Sequence, residues 1–128
     1  MTLAAFCAGL ALGVAAAADA APLPGEDYLL HCSACHQRDG AGVPGVVPPL
    51  SGLAPLLATP AGRAYLVGVP GVAQASLDDE RLAALLNWVM REMSGAQPSP
   101  AYDAREVHAL RSDPLRDPRA VRAAALGR

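Results

Sequence analysis

The chain has 128 residues, of which 52% are hydrophobic, 17% charged and only 4% aromatic, with a formal net charge of −2. That length fits one domain, and the near-neutral balance, with ten Arg, no Lys and no basic block, excludes an electrostatic nucleic-acid binder. With 12 Gly, 12 Pro and so few aromatics, much of the chain should be loop, and its side chains alone supply a modest core.

The first segment is an uncharged, Ala-rich apolar run from Leu3 to Ala18, ending in Ala18-Asp19-Ala20. It is too short and too Ala-rich for a membrane span, and its end matches a small-residue export cleavage site. Residues 1–20 are therefore expected to be a signal peptide. Cys7 is a poor lipoprotein cysteine, because bulky Phe6 precedes it. Cleavage near Ala20 implies an exported, periplasmic protein without stable membrane insertion. Two cysteines then remain, in the string Cys32-Ser33-Ala34-Cys35-His36.

In an exported protein, C-x-x-C-H is the attachment string of a c-type haem. Residues three apart share a helix face, so both thiols can reach the vinyl groups of one porphyrin. His36 follows directly and can serve as the proximal axial iron ligand. A disulfide, a redox pair and a zinc site are the other chemistries of such a string. The redox pair wants a βαβ setting, and no β-rich run surrounds the site. Zinc wants four ligands, and His31 and His108 are poor substitutes for a second cysteine pair.

Downstream, Gly40, Gly42 and Gly45 interleave with Pro44, Pro48 and Pro49 before Leu50, which predicts a loop. A metal-bound His commonly donates its second ring N–H to a carbonyl, and a stiff proline loop can hold one. On Tyr28, Cys32, Cys35, His36, this Gly-rich loop and Pro48-Pro49-Leu50, the chain resembles the class I c-type cytochromes. The resemblance covers about Pro24 to Met93. It implies an all-α fold: a small helical domain wrapped around one covalent haem c, here with a C-terminal helical extension. It further implies that Tyr28, Pro48 and Leu50 line the haem pocket, with the Pro48 carbonyl facing the His36 ring.

Two helices follow. Thr59-Pro60 reads as a cap and first position, with a stop near Gly68. Ser76 with Asp79 suggests a capping box. From there Leu82, Leu85, Leu86, Val89, Met90 and Met93 trace one apolar face, and Gly95 closes the helix. By the resemblance this is the last helix of the domain, crossing the helix that carries the cysteines.

Between the two lies a departure from the family. A methionine ligand, often followed by Pro, is usual in this loop, whereas Gly68 to Ser76 holds Val69-Pro70 and no His, Met, Lys or Cys. The loop is expected to leave the iron without a strong ligand. The sixth position is then open, or taken by His108, Met90 or Met93.

The extension, residues 96–128, begins in the Pro-rich stretch Gln97-Pro98-Ser99-Pro100. Ser99-Pro100 predicts a short helix through Leu110, and Asp117-Pro118 another through Leu126. Its apolar residues suit an amphipathic wrap back onto residues 21–95.

In function, the resemblance implies a non-enzymatic one-electron carrier that docks transiently with periplasmic redox proteins such as a dehydrogenase or terminal oxidase. The alternative is a haem-based ligand-binding, sensing or peroxidase-like module that uses an open iron position.

Overall fold

A computed structural model describes residues 22–127. The export signal assigned to residues 1–20 lies outside the described residues. Within them the fold is all-helical: α1 (Pro24–His31), α2 (Ser33–His36), α3 (Ala54–Leu57), α4 (Pro60–Gly68), α5 (Pro70–Ala73), α6 (Asp79–Glu92), α7 (Ala104–Arg111) and α8 (Pro118–Ala125). A single isolated bridge, Val43 to Val47, is the only extended pairing described. Among the described residues no helix is long and apolar enough to cross a membrane.

Each longer helix starts on a chemical signal. In α1, Pro24 takes the first turn and Glu26 Oε2 accepts from Leu23 N at 3.0 Å. Thr59 Oγ1 caps α4 through Gly62 N at 3.0 Å. The cap of α6 is Asp78, whose Oδ1 accepts from Arg81 N at 2.8 Å, and not Ser76 as its pattern suggested. Asp78 carries a charged acceptor and stands directly before the first helical residue. Similarly, α7 begins at Ala104 rather than at Pro100, because Asp103 Oδ1 accepts from Glu106 N at 2.7 Å. Asp117 caps α8 through Ala120 N at 3.0 Å.

The apolar stripe of α6 organises the core. Leu82, Leu85, Leu86, Val89 and Met90 are buried, and α6 packs on α1 on one side and α7 on the other. The α1 contact is pinned twice. Tyr28 and Trp88 meet with ring centroids 5.6 Å apart, and buried Asp27 pairs with Arg81 at 2.6 Å. Thus α1, which ends at the first cysteine, is fixed against α6.

The first half of the extension shares this core. Tyr102 and Val107 belong to the same buried cluster, and Asn87 on α6 bonds both the N–H and the carbonyl of Tyr102 at 2.9 Å. The second half runs back over α4. Leu115 N donates to the Gly68 carbonyl at 2.8 Å, and α8 packs on α4.

Candidate functional site

The cysteine string sits at a break between helices. Cys32 has φ −122°, so α1 ends there and α2 restarts as a single turn. The turn is kept by His36 N donating to Cys32 O at 3.0 Å. Cys32 is half-buried and Cys35 exposed. Burial, with Asp27 and Cys35 nearby, pushes the Cys32 thiol up to about 11.

The following loop is locked to the motif at several points. Gln37 adopts a positive φ of 65°, and its carbonyl accepts from the Tyr28 hydroxyl at 2.5 Å. Gly42 N donates to His36 O at 3.0 Å, and Leu50 N to Gly40 O at 2.8 Å. Between them Val43 and Val47 close a tight turn through Val47 N to Val43 O, 2.8 Å, and Val43 N to Val47 O, 2.9 Å. The result aims the Pro48 carbonyl at the His36 ring, with Nδ1 and O separated by 3.1 Å. Since a carbonyl only accepts, Nδ1 carries the proton, and the lone pair lies on Nε2. Burial holds the His36 pKa below the ordinary histidine value, against the opposing pull of the Pro48 bond. Burial thus favours the neutral imidazole, the form in which histidine binds a metal.

Nearby opens a cleft of about 910 Å³. Cys32, Cys35 and His36 line one wall, Val46 to Pro49 a second, and Tyr65, Val69 and Val72 a third. It continues into an apolar recess walled by Tyr28, Leu50, Leu53, Leu82, Leu86 and Met90. Tyr28, Cys32, Cys35, His36, Pro48 and Leu50, all named from sequence, therefore gather around one space. A large, mainly apolar volume beside two free thiols and an imidazole fits a tetrapyrrole that carries two vinyl groups and an iron. A zinc site finds no donor set: among the described residues no three His, Cys, Asp or Glu side chains converge to hold a metal ion.

Two of the sixth-ligand candidates lie away from the cleft. His108 is one. Its Nδ1 pairs with Asp79 Oδ2 at 2.9 Å, its side chain is 76% exposed, and it is absent from the cleft lining. The α7 stripe that buries Val107 turns His108 outward. Met93 is the other: it lines neither the cleft nor its inner recess, and its sulfur packs beside Gly40 and Leu50. Met90 does reach the recess, 2% exposed among leucines. The segment Gly68 to Ser76 holds no His, Met, Lys or Cys, and its Val69 and Val72 face the cleft.

Sequence reasoning missed the residues that the extension brings. Arg116, Arg119 and Arg122 line the cleft with Asp117, and Arg122 lies over the Tyr65 ring, 5.7 Å from its centroid. The three-residue spacing of these arginines was the available signal, because it places Arg119 and Arg122 on one face of α8.

No family model matches the chain. Two curated relatives do, both named cytochrome c-552 and both from Thermus thermophilus, the second from the strain ATCC 27634. Each is 33% identical over 116 residues, covering 71% of this chain and 86% and 76% of the respective relative.

Proposed function

The chain belongs to the class I c-type cytochromes, a family of haem c electron carriers, and from that membership we propose that it is an exported monohaem carrier passing one electron between periplasmic redox proteins. Cys32 and Cys35 hold the haem covalently, and His36 is the proximal iron ligand. The observation that carries this reading is the 3.1 Å approach of His36 Nδ1 to the Pro48 carbonyl, beside both thiols and at the head of an apolar cleft.

When bound, the haem supplies an iron that cycles between Fe(II) and Fe(III). The chain's own residues set the conditions. Pro48 fixes the ring tautomer and orientation of His36 and makes Nε2 more basic. Tyr28, through Gln37, and Gly42, through His36 O, hold the loop that carries Pro48. Leu50, Leu82, Leu86 and Met90 keep water from the inner end, and this lowers the local dielectric that tunes a potential. Docking with a dehydrogenase or terminal oxidase would be small and transient.

A second reading is favoured by one observation. The wall of Tyr65, Val69 and Val72 offers no strong iron donor, and His108 and Met93 lie away from the cleft. An open position there would suit binding or sensing of a small ligand, or peroxidase-like chemistry.

Measurements on the exported protein test these readings. Denatured, reduced protein should weigh one haem more than the polypeptide; the bare mass would overturn the assignment. Reversible one-electron voltammetry supports the carrier. Ready binding of carbon monoxide by the reduced form, with sluggish electron exchange and strong peroxide turnover, would favour the second reading. A methionine charge-transfer band would instead identify Met90 as the sixth ligand.

A further inference from the structure

We propose that Arg116, Arg119 and Arg122 form a carboxylate-binding rim, through which the C-terminal extension grips the two propionates of the tetrapyrrole. The inference rests on the haem assignment above. A porphyrin of this kind brings two carboxylates into a cleft that is otherwise mainly apolar, and a carboxylate withdrawn from water without a cation is strongly disfavoured.

The supply of cations at the cleft is narrow. Besides the imidazoles of His31 and His36, the basic groups lining it are these three guanidiniums. Other arginines are committed elsewhere. Arg63 forks onto Glu106, Arg81 onto Asp27, and Arg111 onto Asp79 and the carbonyls of Ala73, Ala75 and Leu77. Among the described residues neither Arg116, Arg119 nor Arg122 has an ion pair or a side-chain hydrogen bond. The one carboxylate beside them, Asp117, caps α8 through Ala120 N. Three unpaired guanidiniums on one rim repel one another, and this is reconciled by an anionic occupant. Their planar forks bind carboxylates bidentately and stay charged at any physiological pH.

Placement supports the same occupant. The cysteines lie on the wall built from α1 and α2, whereas the arginines lie on a segment packed on α4. The vinyl groups that bond the cysteines and the propionates are borne on different pyrrole rings. A ring fastened at Cys32 and Cys35 therefore turns its carboxylates away from that wall. The segment itself is anchored, through Leu115 N to Gly68 O and through the Leu115 side chain against Gly68.

The test uses haem-loaded protein and the triple variant Arg116→Gln, Arg119→Gln, Arg122→Gln. Both are treated with a water-soluble carbodiimide and an amine, and the mass of the haem peptide is followed with time. We expect the propionates of the parent to resist amidation, and those of the triple variant to react at least tenfold faster. Exposed Glu80 and Glu92 should react alike in both proteins. Triple replacement by Met, which keeps much of the bulk without the charge, should lose the protection as the Gln variant does, which separates charge from packing. Each single Gln variant should show part of the effect, so the comparison survives if the triple variant folds poorly. Equal propionate reactivity in parent and variants overturns the proposal while leaving the haem intact. Fast reaction in both, together with binding of added succinate that the triple variant loses, assigns the rim to an external anion and overturns it too. A protein with the mass of the bare polypeptide overturns the haem assignment itself.

Discussion

Gly42→Ala should loosen the proximal histidine. Gly42 has φ +69°, and a methyl there would stand 2.8 Å from the Pro48 carbonyl oxygen and closer still to that of Val47. Reaching the 3.4 Å of ordinary contact requires the Pro48 carbonyl to move by about 0.6 Å. The His36–Pro48 bond, at 3.1 Å, is already near the long end of its range and does not survive such a shift. Left-handed backbone costs Ala about 1–2 kcal/mol, and the lost hydrogen bond about 1 kcal/mol more. Together they predict a loss of about 2–3 kcal/mol and a melting temperature lower by about 10–20 °C. Gly45→Ala is the control. Its φ is +76° but a methyl meets nothing within 4 Å, so only the backbone cost of about 1–2 kcal/mol applies. Urea unfolding and the midpoint potential of the haem-loaded variants separate the two effects. A histidine without its second bond is a less basic ligand, which favours Fe(II), so the potential should rise in Gly42→Ala and stay put in Gly45→Ala. Equal stability losses with unchanged potentials in both would refute the claim that Gly42 keeps the Pro48 carbonyl on His36.

The Asp27–Arg81 pair should respond asymmetrically. Arg81→Met strands a carboxylate whose side chain is 2% exposed and should cost about 3 kcal/mol, whereas Asp27→Asn leaves a guanidinium that already reaches water and should cost clearly less; equal losses in urea unfolding would count against this. Burial pushes the Tyr102 phenol up from 10.0 to about 12, so the folded state holds its proton longer than the unfolded chain. Its contribution is complete below pH 10 and is lost as pH climbs toward 12; Tyr102→Phe should flatten stability over that window, measured by urea midpoints at each pH. Asn87→Ala unpairs both backbone groups of Tyr102 and should cost about 2–3 kcal/mol, with faster amide exchange at Tyr102 as the direct readout.

Much of this protein is local chemistry, and that part is legible in the linear chain. The Cys32–His36 string needs only helical spacing, the α6 stripe only a 3.6-residue period, and Thr59-Pro60 only a cap, so all three can be read without knowing what they touch. The contact of Pro48 with His36 was implied by the family resemblance; prolines stiffen the intervening loop, and its glycines supply the positive φ that its turns need. Competing local signals misled where two acceptors stood close together: Ser76 lost the α6 cap to Asp78, and Pro100 lost the α7 start to Asp103, since the carboxylate next to the helix satisfies the free N–H groups best.

The far side of the cleft belonged to the tertiary structure alone. His108 and Arg122 are both polar residues on short helices of one extension, and nothing in their neighbours' identities distinguishes them. Burying Val107 against α6 turns His108 outward to Asp79, whereas packing Leu115 on Gly68 lays α8 along α4 and brings Arg122 over Tyr65. Which side chain faces the cleft is therefore set by the packing of residues distant in sequence, and helical periodicity fixes a stripe on a helix but not the direction in which that stripe is finally turned.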